Sequence, residues 1–246
     1  MNTVLFRAAL GTGFIFLMTT LGAAAVFIPP RRGGTNSLLY GLTAGIMLAA
    51  AVWSLILPAL ERAGDVSALP CWLVAAVGIV AGAVFVRGLG GLSDRLLKLS
   101  RRSDAMLFIA ITLHNIPEGM AVGLAFALAA DGEATAAACA LALGIGIQNI
   151  PEGASVSLPL ADGGMRKGRA FTLSVLSGAV EPLAGMLAVV AAGTITALMP
   201  WLLCFSAGAM LYVTVEELLP LSVCKHGTAA FLFGFVLMMA LDVALG

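Results

Sequence analysis

Residues 105–130 read AMLFIAITLHNIPEGMAVGLAFALAA, an apolar run with one polar island, His114–Gly119 (HNIPEG). The next apolar run, 134–160, carries a near-copy of that island at Gln148–Gly153 (QNIPEG). Runs of this length can cross the hydrocarbon core of a bilayer, which takes about 20 apolar residues. A carboxylate in the middle of such a run is energetically expensive and therefore points to function. We interpret the rest of the chain as the scaffold for these two hexapeptides.

The composition indicates a membrane protein throughout. Hydrophobic residues make up 61% of the 246 residues and charged residues 11%, whereas a soluble domain has about 25% charged residues. Long uninterrupted apolar runs favour helices over the alternating strands of a barrel. We predict an all-α integral membrane protein, an eight-helix transmembrane bundle formed by one domain over 1–246. The eight segments lie at about 8–29, 38–59, 71–89, 105–130, 134–160, 171–192, 198–220 and 228–245.

The first segment has an alternative interpretation as a cleaved signal peptide. Gly22–Ala25 resemble the small residues that precede a cleavage site. The run is long for such a peptide, however, and Arg31 and Arg32 follow it directly. We therefore predict a retained first span.

Lys and Arg are distributed unevenly between the connections. Of the 13, ten follow odd-numbered segments and Arg87 lies near the end of the third segment. Only Arg7, before the first segment, and Arg62, after the second, lie at the opposite ends of the segments. The positive-inside rule then places the odd-to-even connections in the cytoplasm and both termini outside. The outer connections at 61–70 and 131–133 are acidic, which is typical of solvated turns. The ten are Arg31, Arg32, Arg95, Lys98, Arg101, Arg102, Arg166, Lys167, Arg169 and Lys225.

Segments two and seven resemble each other. Ala44–Leu48 (AGIML) and Ala207–Leu211 (AGAML) are each followed by a Leu-rich stretch that ends at a proline, Pro58 and Pro220. In the predicted topology the two segments run in opposite directions, as in transporters built from inverted repeats. This predicts a 3+2+3 arrangement, although such a short apolar match is weak by itself.

Helical spacing gathers the polar residues of each hexapeptide. Positions i, i+3 and i+4 share a helix face, so the first, second and fifth residues form one donor face. The donors are His114, Asn115 and Glu118 in segment four, and Gln148, Asn149 and Glu152 in segment five. The prolines at the fourth position free the carbonyls of 113 and 147 and bend both helices. A short turn joins the segments, so the two faces are expected to meet at similar depth, with Glu181-Pro182 of segment six adding a third carboxylate.

Something must offset the charge of three buried carboxylates. Segments four to six hold no Lys or Arg at comparable depth, which leaves protons or bound cations as partners. Mixed nitrogen and oxygen donors suit Zn²⁺, Fe²⁺ or Mn²⁺, and the lack of thiolates argues against Cu(I). Three carboxylates exceed the need of one ion, so a two-metal site is plausible.

Several polar residues have structural alternatives. An isolated His or Asn in a span can serve as an interhelical hydrogen-bonding group, and an isolated Glu as a proton relay. Glu216 and Glu217 lie near the predicted cytoplasmic end of segment seven. They are interpreted either as metal ligands on the exit path or as carboxylates that reach the membrane interface. Asp242 is an outer-side ligand or a charged helix end. Met47 offers a thioether, or it only packs.

The paired hexapeptides, with the Glu-Pro of segment six, resemble the ZIP family of divalent-metal transporters, and most of all its bacterial GufA-like branch. The resemblance implies eight spans with both termini outside, in a bacterial cytoplasmic membrane. It implies a binuclear metal centre in the middle of the membrane, formed by His114, Asn115, Glu118, Gln148, Asn149, Glu152 and Glu181, with Met47 as an additional ligand. Glu217 and Asp242 correspond to auxiliary acidic positions on the release and uptake sides.

The family carries metal into the cytoplasm by alternating access between two helix bundles and is commonly dimeric. The expected cargo is zinc, with iron, manganese, cadmium and cobalt as further ions. The expected partners are these ions, the bilayer and a second copy of the chain, with no prosthetic group, no nucleic acid and no enzymatic activity. Two departures stand out: the connection 90–104 has no histidine, and Asn149 replaces an Asp found in some relatives, which weakens the second metal position.

Two other functions are weighed against transport. A membrane-embedded metalloenzyme could use two metals to activate water, but the spans contain no His-Glu-x-x-His motif and no Ser/Lys nucleophile set. A structural or receptor protein with a stabilising ion would bind metal without moving it.

Overall fold

The computed structural model describes residues 2–28, 35–96, 102–129, 132–223 and 225–245. Every element in these ranges is helical, and eight helices are long and apolar enough to cross a membrane. The predicted all-α bundle of eight membrane-spanning helices is therefore confirmed. The spans, numbered 1 to 8, are Thr3–Phe27, Ser37–Gly64, Cys71–Gly88, Ala105–Leu128, Gly132–Asp162, Lys167–Val190, Ala192–Ser222 and His226–Ala244.

Helices extend beyond the predicted segments at several ends. The connection predicted at 61–70 is helical as far as Val66, and that at 90–104 is helical to Leu96 and again from Arg102. Those loop assignments were wrong because hydropathy marks the edge of the hydrocarbon, whereas intrahelical hydrogen bonds continue into the polar interface. Arg31, Arg32, Lys98, Arg101 and Asp131 lie outside the described residues.

Three spans are interrupted near a proline. Span 6 breaks at Ala179 into the helices Lys167–Gly178 and Val180–Val190, because Pro182 has no N–H for the carbonyl of residue 178. Spans 2 and 7 each contain a π-helical segment that ends two residues before a proline. The helices of span 2 are Thr35–Ala50, Ala51–Ile56 (π) and Leu57–Val66, and those of span 7 are Ala192–Val213, Thr214–Leu218 (π) and Leu219–Ser222.

Each of the remaining spans contains one α-helix. Span 1 comprises the helix Asn2–Ala23 and the 3₁₀ turn Ala24–Phe27. Spans 3, 4, 5 and 8 lie in the helices Cys71–Leu96, Arg102–Leu128, Gly132–Asp162 and Lys225–Leu245. Proline lies within spans 4 and 5 without ending either helix.

The packing of the spans follows the predicted inverted repeat. Span 1 packs mainly on span 5 and span 4 on span 6, while span 2 packs on span 8 and span 3 on span 7. In the predicted repeat, spans 1, 2 and 3 correspond to spans 6, 7 and 8, and span 4 corresponds to span 5. Under this correspondence the pair of spans 1 and 5 becomes the pair 6 and 4, and the pair 2 and 8 becomes the pair 7 and 3. The π segments agree in register, because Ala51 and Thr214 each begin seven residues after the shared Ala44 and Ala207. Two bundles result: spans 1, 4, 5 and 6, and spans 2, 3, 7 and 8.

Glycines allow the closest helix crossings beside the hexapeptides. A Cβ atom at Gly119 would collide with the backbone of Glu181, and one at Gly153 would collide with the backbone of Thr19. Span 6 therefore lies directly against span 4, and span 1 against span 5. The two hexapeptides are thus enclosed by spans 1 and 6.

Candidate metal centre

The imidazole of span 4 joins one carboxylate from each hexapeptide. His114, Glu118 and Glu152 are at most 5% exposed. His114 Nε2 lies 3.2 Å from an Oε1 atom of each glutamate, and the donor atoms of the three residues all lie within 4.8 Å of one another. His114 and Glu118 of one predicted donor face thus meet Glu152 of the other. The prediction that Asn115, Gln148 and Asn149 share these faces is not met, because their carboxamides contact other residues.

This cluster has more acceptor oxygens than the protein has donors for. The single nitrogen His114 Nε2 lies at 3.2 Å from both glutamates and could carry at most one proton for the two carboxylates. Within the described residues, both oxygens of Glu118, Oε2 of Glu152 and Nδ1 of His114 are buried without a hydrogen-bond partner. Such groups are rare in native proteins and call for an explanation. Carboxylate oxygens and an imidazole nitrogen converging in this way fit a Zn²⁺-like cation.

Gln148 turns to one side of span 5 and meets an aspartate of span 8. Its Nε2 donates to Asp242 Oδ1 at 2.7 Å, and Ser54 Oγ of span 2 donates to the same oxygen at 2.6 Å. Asp242 is 8% exposed, so it is a buried acceptor and not a solvated helix end. This hydrogen bond connects the two bundles.

Asn149 turns to the other side and meets the glutamate of span 6. Its Nδ2 donates to Glu181 Oε1 at 3.1 Å and to Thr19 Oγ1 at 3.0 Å, and Thr19 Oγ1 donates to Glu181 Oε1 at 2.9 Å. Asn149 Oδ1 and Glu181 Oε2 are buried without a hydrogen-bond partner in the part of the chain that the structure describes. Each carboxamide of span 5 therefore shares a carboxylate with a hydroxyl group. Neither Ser54 nor Thr19 is predictable from the sequence, because a lone Ser or Thr in an apolar run gives no signal of its contacts.

Pro117 and the break in span 6 leave backbone carbonyls to which neighbouring side chains donate hydrogen bonds. Ser206 Oγ of span 7 donates to the Leu113 carbonyl at 2.7 Å, the carbonyl that Pro117 was predicted to free. Asn115 Nδ2 donates to the Ser177 carbonyl at 2.9 Å, next to the break in span 6. Side chains thus stabilise the backbone around the centre where intrahelical hydrogen bonds are interrupted, as membrane proteins require.

Met47 and the glutamate pair of span 7 are not part of the three-residue cluster. Met47 is 1% exposed, and Thr43, one turn before it, donates to the Ser155 carbonyl at 3.5 Å. Since the two helices are antiparallel, one further turn brings Met47 level with Glu152. Glu217 lies in the π segment of span 7 and is half-buried, while Glu216 is exposed. The glutamate pair thus lies apart from the three-residue cluster.

A cavity of about 390 Å³ leads to the centre from the side of the chain termini. Glu61 and Arg62, at the end of span 2, line its outer part, and Glu118, Gln148 and Asp242 lie at its inner end. The cavity therefore extends as far as Glu118, whose two carboxylate oxygens are themselves buried. The contribution of Arg62 was not predicted, because its position at the end of span 2 suggested an ordinary interfacial charge.

Comparison with known proteins adds a family context to this geometry. The sequence profile of a family described as "ZIP Zinc transporter" matches residues 94–242. The chain is 35% identical to zinc transporter ZIP11 of Homo sapiens, in a match that covers 100% of this chain and 99% of that protein. It is 37% identical to zinc transporter GufA of Myxococcus xanthus, covering 79% and 81% of the two chains. It is 34% identical to zinc transporter ZIPB of Bordetella bronchiseptica, covering 97% and 81%.

Proposed function

Because the chain belongs to the ZIP family of zinc transporters, as its hexapeptides predicted, we propose that it carries divalent transition-metal ions into the cytoplasm through the buried centre. Zinc is the expected main cargo, with iron, manganese, cadmium and cobalt as further ions. One observation carries the proposal: His114, Glu118 and Glu152 bring buried, unpartnered donor atoms together at the inner end of a cavity. The ion supplies the positive charge that the described residues around these carboxylates lack.

The centre is proposed to hold two ions. One position is built on the three-residue cluster, and the other uses the free oxygens of Asn149 and Glu181, with Glu118 between them. What supports the second position is that Asn149 Oδ1 and Glu181 Oε2 are buried and unpartnered among the described residues. The complete proposed ligand set is His114, Asn115, Glu118, Gln148, Asn149, Glu152, Glu181 and Met47.

Transport is proposed to proceed by alternating access, with one bundle moving against the other. Two features support this: the inverted pairing of the spans and the cavity that reaches the centre from one side. The hydrogen bond from Gln148 to Asp242 crosses between the bundles and has to break during the motion. Asp242 then acts on the uptake side and Glu217 on the release side.

The proposed setting is the cytoplasmic membrane of a bacterium. Both termini face the periplasm, as the distribution of Lys and Arg favours. The cavity described above is then open toward the periplasm. The whole chain, 1–246, forms one transport domain, and two copies assemble as a dimer.

Uptake of radioactive zinc into proteoliposomes tests the proposal. Glu118→Gln and Glu152→Gln remove the anionic ligands while keeping side-chain size, and we expect zinc uptake to fall by at least about tenfold. Glu133→Gln is the matched control, because Glu133 is an exposed carboxylate in the first turn of span 5. Unchanged uptake in both centre variants contradicts the proposal.

The same preparation separates the alternatives. Metal binding without flux indicates a receptor or a structural ion, and turnover of a substrate without flux indicates an enzyme. Competition of the zinc flux by cadmium, iron, manganese and cobalt ranks the cargo ions.

A further inference from the structure

We propose that Thr19 of span 1 is a positioning residue, whose hydroxyl fixes which atoms of Asn149 and Glu181 face the second metal ion. This inference rests on the proposed binuclear centre and assigns span 1 a part in it. Thr19 is 2% exposed and lies between spans 5 and 6. Neither the hexapeptides nor the Glu-Pro of span 6 includes it.

The orientation of the Asn149 carboxamide decides whether this residue can bind a cation. A carboxamide binds a metal through its oxygen, whereas its NH₂ group can only donate hydrogen bonds. Asn149 Nδ2 lies 3.4 Å from the Ile15 carbonyl, which is an acceptor and therefore selects the nitrogen over the oxygen. That contact is long, and Thr19 Oγ1 adds a shorter one at 3.0 Å. With the nitrogen held by span 1, Oδ1 is left on the opposite side.

The same hydroxyl donates a hydrogen bond to one carboxylate oxygen of Glu181. Thr19 Oγ1 donates to Glu181 Oε1 at 2.9 Å, and Asn149 Nδ2 donates to that oxygen at 3.1 Å. Both donors engage Oε1, so Oε2 is left without a partner among the described residues. The hydroxyl thus directs two oxygens, Asn149 Oδ1 and Glu181 Oε2, away from span 1.

The backbone of Thr19 is held closely enough for this function. A Cβ atom at Gly153 would collide with the Thr19 carbonyl, so span 1 lies directly against the hexapeptide of span 5. A hydroxyl on a helix packed this tightly has few alternative positions. The distance from Thr19 to the carboxamide and to the carboxylate is therefore set by the helix crossing.

Other threonines of span 1 donate to their own helix, whereas Thr19 makes its shortest hydrogen bond as a donor with another span. Thr12 and Thr20 donate to the carbonyls four residues back, at 2.8 and 2.9 Å. Thr19 has the same option with Ile15, but at 3.2 Å, which is longer than its bond to Glu181. Thr12 is 0% exposed, and it serves as a matched control for the loss of a buried hydroxyl.

Zinc titration of the purified chain in detergent, followed by calorimetry, tests the inference. Thr19→Val keeps the shape of the side chain and removes the hydroxyl. We expect the tighter of two bound Zn²⁺ ions to be retained and the affinity for the weaker ion to fall about 10- to 100-fold, as for other groups that orient metal ligands. Thr19→Ser restores the hydroxyl and is expected to restore the affinity, and Thr12→Val is expected to match the wild type.

Each outcome has a distinct meaning. Wild-type affinity for both ions in Thr19→Val overturns the inference, as does loss of the weaker ion in Thr19→Ser, because the methyl group would then be the determinant. A wild-type chain that binds one ion but transports zinc overturns the inference and the proposed second metal position, but leaves zinc transport through the centre standing. A wild-type chain without zinc uptake overturns the proposed function and the inference together. If Thr19→Val does not fold, Thr19→Ala removes the same hydroxyl and is expected to lose the weaker ion.

Discussion

At the residue scale, the glycines that end the two hexapeptides are packing residues. Gly119 faces the backbone of Glu181, and Gly153 faces the backbone of Thr19. A side chain at either position would push a neighbouring helix away from the centre. The hexapeptide therefore combines the proposed ligand positions with a contact that holds the neighbouring span.

Adding one methyl group tests this packing. Gly119→Ala and Gly153→Ala should each destabilise the protein by about 1–3 kcal/mol, because a backbone cannot move aside like the end of a side chain. Thermal unfolding in detergent measures the loss. Gly13→Ala is the control, since nothing lies within 4 Å of a Cβ atom there and alanine favours the helix. Equal melting temperatures for all three variants would contradict the packing role.

The residues that the sequence predicted best are those whose contacts follow from helical spacing. His114 and Glu118 are one turn apart in one helix, and the short turn after span 4 brings Glu152 beside them. Thr19 and Ser54 could not be predicted, because their contacts depend on which helices cross at that depth. Thr12, Thr19 and Thr20 look alike in sequence, and only the crossing of span 1 with spans 5 and 6 distinguishes Thr19.

At the element scale, the proline of span 4 and the serine of span 7 act as a pair. Pro117 cannot donate to the Leu113 carbonyl, and Ser206 Oγ donates to it instead at 2.7 Å. An unpaired carbonyl inside a membrane protein is unfavourable. The serine therefore stabilises the bend that the proline introduces.

A double-mutant cycle measures this pairing. Ser206→Ala should destabilise the protein by about 0.6–1.7 kcal/mol, the range for interhelical hydrogen bonds in membranes. In a Pro117→Ala background the new N–H can reach the Leu113 carbonyl, so removing the serine should have little further effect. Chemical denaturation in detergent gives the four free energies of unfolding.

The control for this cycle is Thr196→Val in the same span, whose hydroxyl donates to Ala192 of its own helix. Its effect should be the same with and without Pro117. Strictly additive effects of Pro117→Ala and Ser206→Ala would show that the serine does not serve the freed carbonyl.

The sequence near a proline does not predict whether the helix is interrupted there. Bends are predicted at Pro117 and Pro151, and the helices of spans 4 and 5 continue through these prolines. Span 6, for which no bend is predicted, is interrupted at Ala179. The π segments of spans 2 and 7 were not foreseen. A proline signals that one hydrogen bond is missing, and the packing around it decides how the helix accommodates the loss.

At the scale of the whole molecule, the inverted repeat relates the two ends of the proposed transport path. Ala51 and Thr214 begin the two π segments and Ala44 corresponds to Ala207, an offset of 163 residues. By the same offset Ser54, which lines the described cavity, corresponds to Glu217. Glu217 is therefore expected at the equivalent place in a cavity that opens to the other side.

Replacing Glu217 should thus affect release more than binding. We expect Glu217→Gln to reduce the maximal rate of zinc uptake several-fold while the zinc affinity of the centre remains that of the wild type. Proteoliposome flux and zinc titration measure the two quantities separately. Glu216→Gln is the control, because Glu216 is exposed. A loss of affinity equal to the loss of rate would place Glu217 in the binding centre instead.

The common register of the two π segments also bears on the populations of the conformations. If each half of the molecule adopts the shape of the other when the access side changes, a substitution in span 2 and its counterpart in span 7 act on opposite states. A substitution that makes the π segment of span 2 more rigid would then raise the population of one access state. The corresponding substitution in the π segment of span 7 would lower the population of that same state. The two changes together would restore the balance, so the repeat makes the conformational equilibrium adjustable from either end of the chain.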